Sequence, residues 1–421
     1  MRKQKQEIAD FTDSYPVFTE EMKATHTILV PDMLPFHFEI LFPILRAEGY
    51  KVEMLTNHER AVIDEGLKHV HNDTCFPALC CIGQYVDALK SGKYDPDRTA
   101  VLITQSGGGC RASNYIPLIR KALQAEFPQV PVLSLNFAGL EKDSSIKVTL
   151  PLLLKLAYGI FYGDTVMALY NQVRPYEKTE GAADEARRKC IDLVTAAFRN
   201  KTYSRFEALH KQIIATFAAV ERNHTKKPRV GIVGEIYVKY SPLGNSDLEK
   251  FLLAEGCEPV VPSLMDFVLY CIINTVNDKK LYGHKSLSEP VFALVYKWLY
   301  KKQKLVIRYI RENSDFYPIH DFEELRSFAD KVIHQGVKMG EGWLIPAEMA
   351  ALCESDTPNV VCTQPFGCLP NHIAGKGATR AVKQFYPQAN IVAVDYDPSA
   401  TGVNQENRIK LMIATAKEAL K

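Results

Sequence analysis

Short apolar runs alternate along the first third of the chain with longer stretches in which apolar residues recur every three or four positions. Thr27-Ile28-Leu29-Val30-Pro31, Lys51-Val52-Glu53-Met54-Leu55, Ala100-Val101-Leu102-Ile103-Thr104 and Val130-Pro131-Val132-Leu133-Ser134-Leu135 read as strands. Between them, 36–47, about 75–90 and 112–126 read as helices. Such βαβ alternation predicts a mostly parallel sheet covered by helices. From 139 to 224 the strand signals fade, with amphipathic stretches over 184–197 and 206–220. Lys226-Lys227-Pro228 ends this section, and a second alternating unit opens with Arg229-Val230-Gly231-Ile232-Val233-Gly234-Glu235. It continues through strands at 259–262, 359–362 and 390–395, with an extended helical section over 264–339 and a terminal helix from 402. The expected class is α/β. Two doubly wound parallel-sheet domains, 1–138 and 226–421, face each other across a helical insertion or bridge at 139–225, and ligands gather at the carboxyl ends of their strands.

With 421 residues, 47% hydrophobic and 24% charged, the chain has enough apolar surface for two or three cores. Lys+Arg 51 against Asp+Glu 49 leaves a net charge of +2, which argues for neither a nucleic-acid nor an acidic-membrane partner. Ten unevenly spaced cysteines make no disulfide scaffold, and Met1-Arg2-Lys3-Gln4-Lys5-Gln6-Glu7 lacks a signal peptide's apolar run, so a reducing, cytoplasmic setting is expected. The most membrane-like stretch, 148–170, carries Pro151, Lys155 and Asp164, and reads as a buried or interface helix; its apolar part at 152–168 offers a contact face for a homodimer or heterodimer.

Three cysteines share one kind of setting. Cys75 in Asn72-Asp73-Thr74-Cys75-Phe76-Pro77, Cys110 in Gly107-Gly108-Gly109-Cys110-Arg111 and Cys368 in Pro365-Phe366-Gly367-Cys368-Leu369-Pro370 each fall where a chain leaving a strand turns into a helix. Proline two positions after Cys75 and Cys368 suits a helix's first turn, and the glycines before Cys110 allow close backbone approach to a cluster or phosphate. Unpaired N–H groups and the positive dipole end at a helix start favour a thiolate and an anionic group bound to it. A single buried cysteine is usually packing; three at equivalent junctions point to metal. Three thiolates leave one iron of a [4Fe-4S] cluster open to an exogenous ligand, where four would close it. Cys80 and Cys81 fall inside the helix that Cys75 begins and read first as packing, Cys362 stands evenly between core and site, and Cys190, Cys257, Cys271 and Cys353 read as core.

Around these loops, His71, Arg111, Ser113, Asn114, Glu235, Lys239, Asn371 and His372 fall near strand ends where substrate groups are met, although turns and caps account for such residues as well. Arg111 offers a charge to offset a cluster or to bind a CoA phosphate. Neither Ser106-Gly107-Gly108-Gly109 nor Gly375-Lys376-Gly377-Ala378-Thr379 has Walker A spacing, and no Gly-x-Gly-x-x-Gly opens either unit, so ATP hydrolysis and a nicotinamide site are unsupported.

Taken together, the Cys75 motif through Ala78, Thr104 to Tyr115 around Cys110, and Pro365 to His372 around Cys368 resemble the C-terminal iron-sulfur region of large 2-hydroxyacyl-CoA dehydratase activase-related proteins, which is similar to the dehydratase subunits themselves. Val233-Gly234-Glu235-Ile236-Tyr237-Val238-Lys239-Tyr240-Ser241-Pro242-Leu243-Gly244-Asn245 and the segment 390–420 extend the resemblance over most of the chain. It implies flavodoxin-like domains that hold a [4Fe-4S] cluster, or a double-cubane [8Fe-9S] cluster as in relatives that reduce small molecules. It also implies a separate ATP-hydrolysing activator protein that injects a low-potential electron, and an acyl-CoA or other small-molecule substrate, whose 2-hydroxyl leaves by way of a ketyl radical in the dehydratases. The ATPase-type activator region is absent from this sequence. Two other readings stand beside it: a noncatalytic electron-relay or scaffold subunit, in which Cys362 or Cys81 supplies a fourth ligand, and a zinc-stabilised binding protein.

Overall fold

In the computed structural model, which describes residues 15–71, 73–105, 109–136, 146–284, 287–399 and 402–421, the apolar runs form two four-stranded sheets, each parallel throughout. The first sheet contains β1 (Thr27–Val30), β2 (Lys51–Met54), β3 (Thr99–Gln105) and β4 (Val132–Asn136) in the order β2-β1-β3-β4. The second contains β5 (Arg229–Gly234), β6 (Glu258–Val260), β7 (Asn359–Pro365) and β8 (Asn390–Tyr396) in the order β6-β5-β7-β8. Ile28, Leu29, Ala100, Val101, Val230, Ile232, Val360 and Val361 are fully buried, because helices cover both faces of a parallel sheet. This is the expected flavodoxin-like doubly wound plan, present twice. Strand order reverses between β1 and β3 and between β5 and β7, and in such sheets the crevice outside the carboxyl ends at the reversal is where ligands bind.

The chain divides into two compact units, one of Met1–Met33 with Leu45–Thr149 and one of Leu34–Ile44 with Leu150–Lys421. The helical section expected as a bridge at 139–225 is, from Leu150 onward, part of the second unit. Its helices Leu150–Val173, Ala182–Arg199 and Phe206–Ala218 contribute Phe161, Val194, Ile213 and Phe217 to the same buried cluster as Leu269, Ile310 and Trp343. Amphipathic periodicity marks the face a helix buries and leaves open what it is buried against. Helix Leu150–Val173 belongs to the one stretch among the described residues that is long and apolar enough to cross a membrane, and 56% of its apolar window is buried within the protein. The face expected as a dimer contact is largely used inside the unit, where Phe161, Tyr162, Val166 and Met167 are buried; Leu150, Leu153 and Leu154 remain exposed at its start.

One element departs from expectation beside a cysteine loop. Helix Arg60–His69 follows β2, so Cys75 comes after a helix and not after a strand. This helix packs on helix Phe76–Lys90 through two glycines: a Cβ on Gly83 would stand 2.0 Å from the Val62 carbonyl oxygen, and one on Gly66 2.4 Å from that of Leu79.

Candidate functional site

In the first unit Cys75 stands at the N-cap of helix Phe76–Lys90, with Pro77 in the first turn, and its carbonyl accepts from the N–H groups of Ala78 and Leu79 at 3.1 and 3.3 Å. Its buried Sγ lies 3.5 Å from the hydroxyl of Tyr115. Cys110, half-buried, precedes the 3₁₀ turn Arg111–Asn114, which runs directly into helix Tyr115–Gln124. Tyr115 therefore ties the Cys75 loop to the element that Cys110 opens. Ser113 is spent on local structure, its N–H and hydroxyl both donating to the Cys110 carbonyl at 3.3 and 2.8 Å. Asn114 precedes the helix without capping it, Arg111 is exposed, and His71 pairs with Asp73 at 3.4 Å. Asn72 and Ser106, Gly107 and Gly108 lie outside the described residues. Cys80 and Cys81 are buried inside helix Phe76–Lys90.

In the second unit Cys368 follows β7 at the corresponding place. Gly367 takes a φ of 67° to turn the chain, and the Cys368 carbonyl accepts from His372 N–H at 3.2 Å, opening a turn that becomes the π-helical segment Asn371–Lys376. Asn371, fully buried, is the hub. Its carboxamide fits its neighbours with the oxygen accepting from Glu235 N–H and the nitrogen donating to the Thr363 carbonyl, both at 3.1 Å. Its terminal atoms lie 3.4 Å from Cys368 Sγ and 4.0 Å from Cys362 Sγ. Cys362 itself is packed into the sheet's core with Val233, Ile345 and Met349. His372 is exposed and held by Gln364 at 2.8 Å.

No protein-family model matches the chain. No curated protein sequence matches it either.

Glu235 caps the short helix Ile236–Tyr240 by accepting from Val238 N–H at 3.0 Å, and Glu341 accepts from Ile236 N–H at 3.2 Å. Burial first, and then the charge of Glu341, raise the pKa of Glu235; burial also raises that of Glu341, so the two carboxyls cannot both ionise readily. Burial, with Glu235 and Glu341 adding to it, pushes the Cys368 thiol far up, and burial pushes Cys362 up to about 12. A thiol in such surroundings ionises when it coordinates a metal cation. Lys239 does not face the crevice; its ammonium turns inward to Glu348 at 2.9 Å. Phe366, Leu369 and Ile373 expose apolar side chains around the Cys368 loop.

Glu341 and Glu348 escaped the sequence reading. The segment Gly340-Glu341-Gly342-Trp343, with both glycines at positive φ (58° and 37°), carried the only signal, a carboxylate fixed in a tight turn. Among the described residues one set of three potential ligands converges within 4.8 Å, Glu65, His69 and Glu126, and it contains no cysteine. Lys90 reaches both carboxylates, at 2.6 and 2.8 Å, so an ammonium already supplies the positive charge there.

Proposed function

We propose that the protein is an iron-sulfur redox protein of the 2-hydroxyacyl-CoA dehydratase type, with Cys75, Cys110 and Cys368 as cluster ligands. The observation that carries the reading is that Cys110 and Cys368 occupy the same place in two sheets of identical strand order, the first helical turn after the third strand, beside the reversal point. Three cysteines at helix starts form a donor set suited to an anionic cluster. When bound, the cluster supplies single-electron chemistry.

The chain's own residues set its surroundings. N–H groups at the helix starts favour negative charge at the sulfurs. Asn371 fixes the Cys368 loop against Glu235, and the raised pKa values of Glu235 and Glu341 keep a proton in that carboxyl pair. The exposed Phe366, Leu369 and Ile373 offer an apolar rim to the acyl chain of a thioester. Electrons come from a separate ATP-hydrolysing activator, in a reducing cytoplasm. The relay reading needs a fourth thiolate, for which the buried Cys81 and Cys362 are the candidates.

Electron paramagnetic resonance of the anaerobically reconstituted, reduced protein tests the open iron. A 2-hydroxyacyl thioester is expected to change the cluster's spectrum. An unchanged spectrum contradicts the enzyme reading and leaves the relay; no cluster signal contradicts both.

A further inference from the structure

The first unit holds a cavity of about 260 Å³ whose walls include His69, Thr74, Arg111 and Lys121, with His71 and Asp73 beside them. Each wall has a defined origin. His69 ends the helix Arg60–His69, Thr74 precedes Cys75, Arg111 follows Cys110, and Lys121 projects from helix Tyr115–Gln124.

The charge balance sets this cavity apart. Two of its acidic neighbours are already matched, Glu65 by Lys68 and Lys90 and Glu126 by Lys90, while the exposed Asp73 lies 3.4 Å from the His71 ring and pairs with neither Arg111 nor Lys121. Arg111 and Lys121 have no carboxylate partner among the described residues, and the buried Thr74 hydroxyl makes no hydrogen bond there. A second cavity, lined by Lys189 with Glu185 and Glu221, shows the opposite balance, since Lys189 is paired with Glu185 at 2.6 Å. Two unmatched cations, one a guanidinium fork, with a hydroxyl and an imidazole in the same walls, match an oxyanion that offers several acceptor oxygens and more than one negative charge. A phosphate monoester meets that description; a carboxylate supplies half the charge.

We propose that this cavity binds the phosphate group of a phosphorylated small molecule, anchoring it next to the Cys75 and Cys110 loops. The site stands on its own walls and needs no cluster, so it is tested on the cluster-free full chain and stands or falls apart from the iron-sulfur reading. Isothermal titration calorimetry with adenosine monophosphate, and separately with inorganic phosphate, reads it out. Saturable one-to-one binding of the monoester is expected, weakened about tenfold or more, or about 1.4 kcal/mol, by Arg111→Gln and by Lys121→Gln. Lys189→Gln, in the other cavity, leaves it unchanged. Both target side chains are exposed, and an unchanged thermal melt confirms that each variant is folded. The proposal is overturned by absence of saturable monoester binding, by retention of wild-type affinity in both Arg111→Gln and Lys121→Gln, or by equal affinity for inorganic phosphate, which assigns the site to the free ion.

Discussion

Lys239 and Glu348 form an ion pair at 2.9 Å with side chains 2% and 1% exposed, and the second Glu348 oxygen has no hydrogen-bond partner among the described residues. Burying two charges costs desolvation that their attraction only offsets, whereas removing one strands the other. Glu348→Gln should therefore cost about 3–5 kcal/mol in urea unfolding, while the double change to Met at 239 and Leu at 348 should cost far less. Equal losses would contradict the pairing. The Glu235–Glu341 pair gives a pH signature. Its carboxyls bind protons more tightly folded than unfolded, so their contribution is present at low pH and lost as pH rises through the raised pKa. Unfolding midpoints should fall from about pH 5 to about pH 8 and level off above it, and Glu341→Gln should flatten the fall. At this scale the sequence was legible where proline and glycine set the local backbone, as Pro77 does in a helix's first turn and Gly367 at positive φ. Glu341 and Glu348 were not, because their partners Ile236 and Lys239 lie 105 and 109 positions distant and no local pattern records such a meeting.

Helices Arg60–His69 and Phe76–Lys90 decide how Cys75 is presented. The first buries Val62, Glu65 and Gly66, and its closest approach is backbone to backbone at Gly66 and Gly83. A helix that docks through glycine carries a thin apolar stripe, which is why periodicity did not reveal it. Gly83→Ala places a methyl 2.0 Å from the Val62 carbonyl oxygen and should destabilise the protein by about 1–3 kcal/mol or more. Cluster content should fall with it, because Cys75 caps the displaced helix. A stable Gly83→Ala variant would show that the helices can separate at little cost. Strands were more readable than helix partners, since a fully buried parallel strand is a continuous apolar run whatever covers it.

Over the whole molecule, two sheets share one strand order, and alternation along the chain made that plan legible. The unit boundaries were less so: residues Leu34–Ile44 leave the first unit and join the second, with His37 bonding Asp164 at 2.9 Å inside it. A helical period cannot tell which core a helix joins. The shared plan places Cys110 and Cys368 at matching positions, whereas Cys75 follows a helix and stands outside the repeat. Iron and acid-labile sulfide per chain, measured on protein purified without oxygen, test the three as a ligand set most directly, with the variants Cys75→Ala, Cys110→Ala and Cys368→Ala set against the core control Cys190→Ala. The wild type and Cys190→Ala should carry about four of each, or about twice that for a double cubane, and the other three variants should lose most of it. Wild-type protein holding zinc or no metal, or full iron and sulfide in Cys110→Ala, would contradict the account.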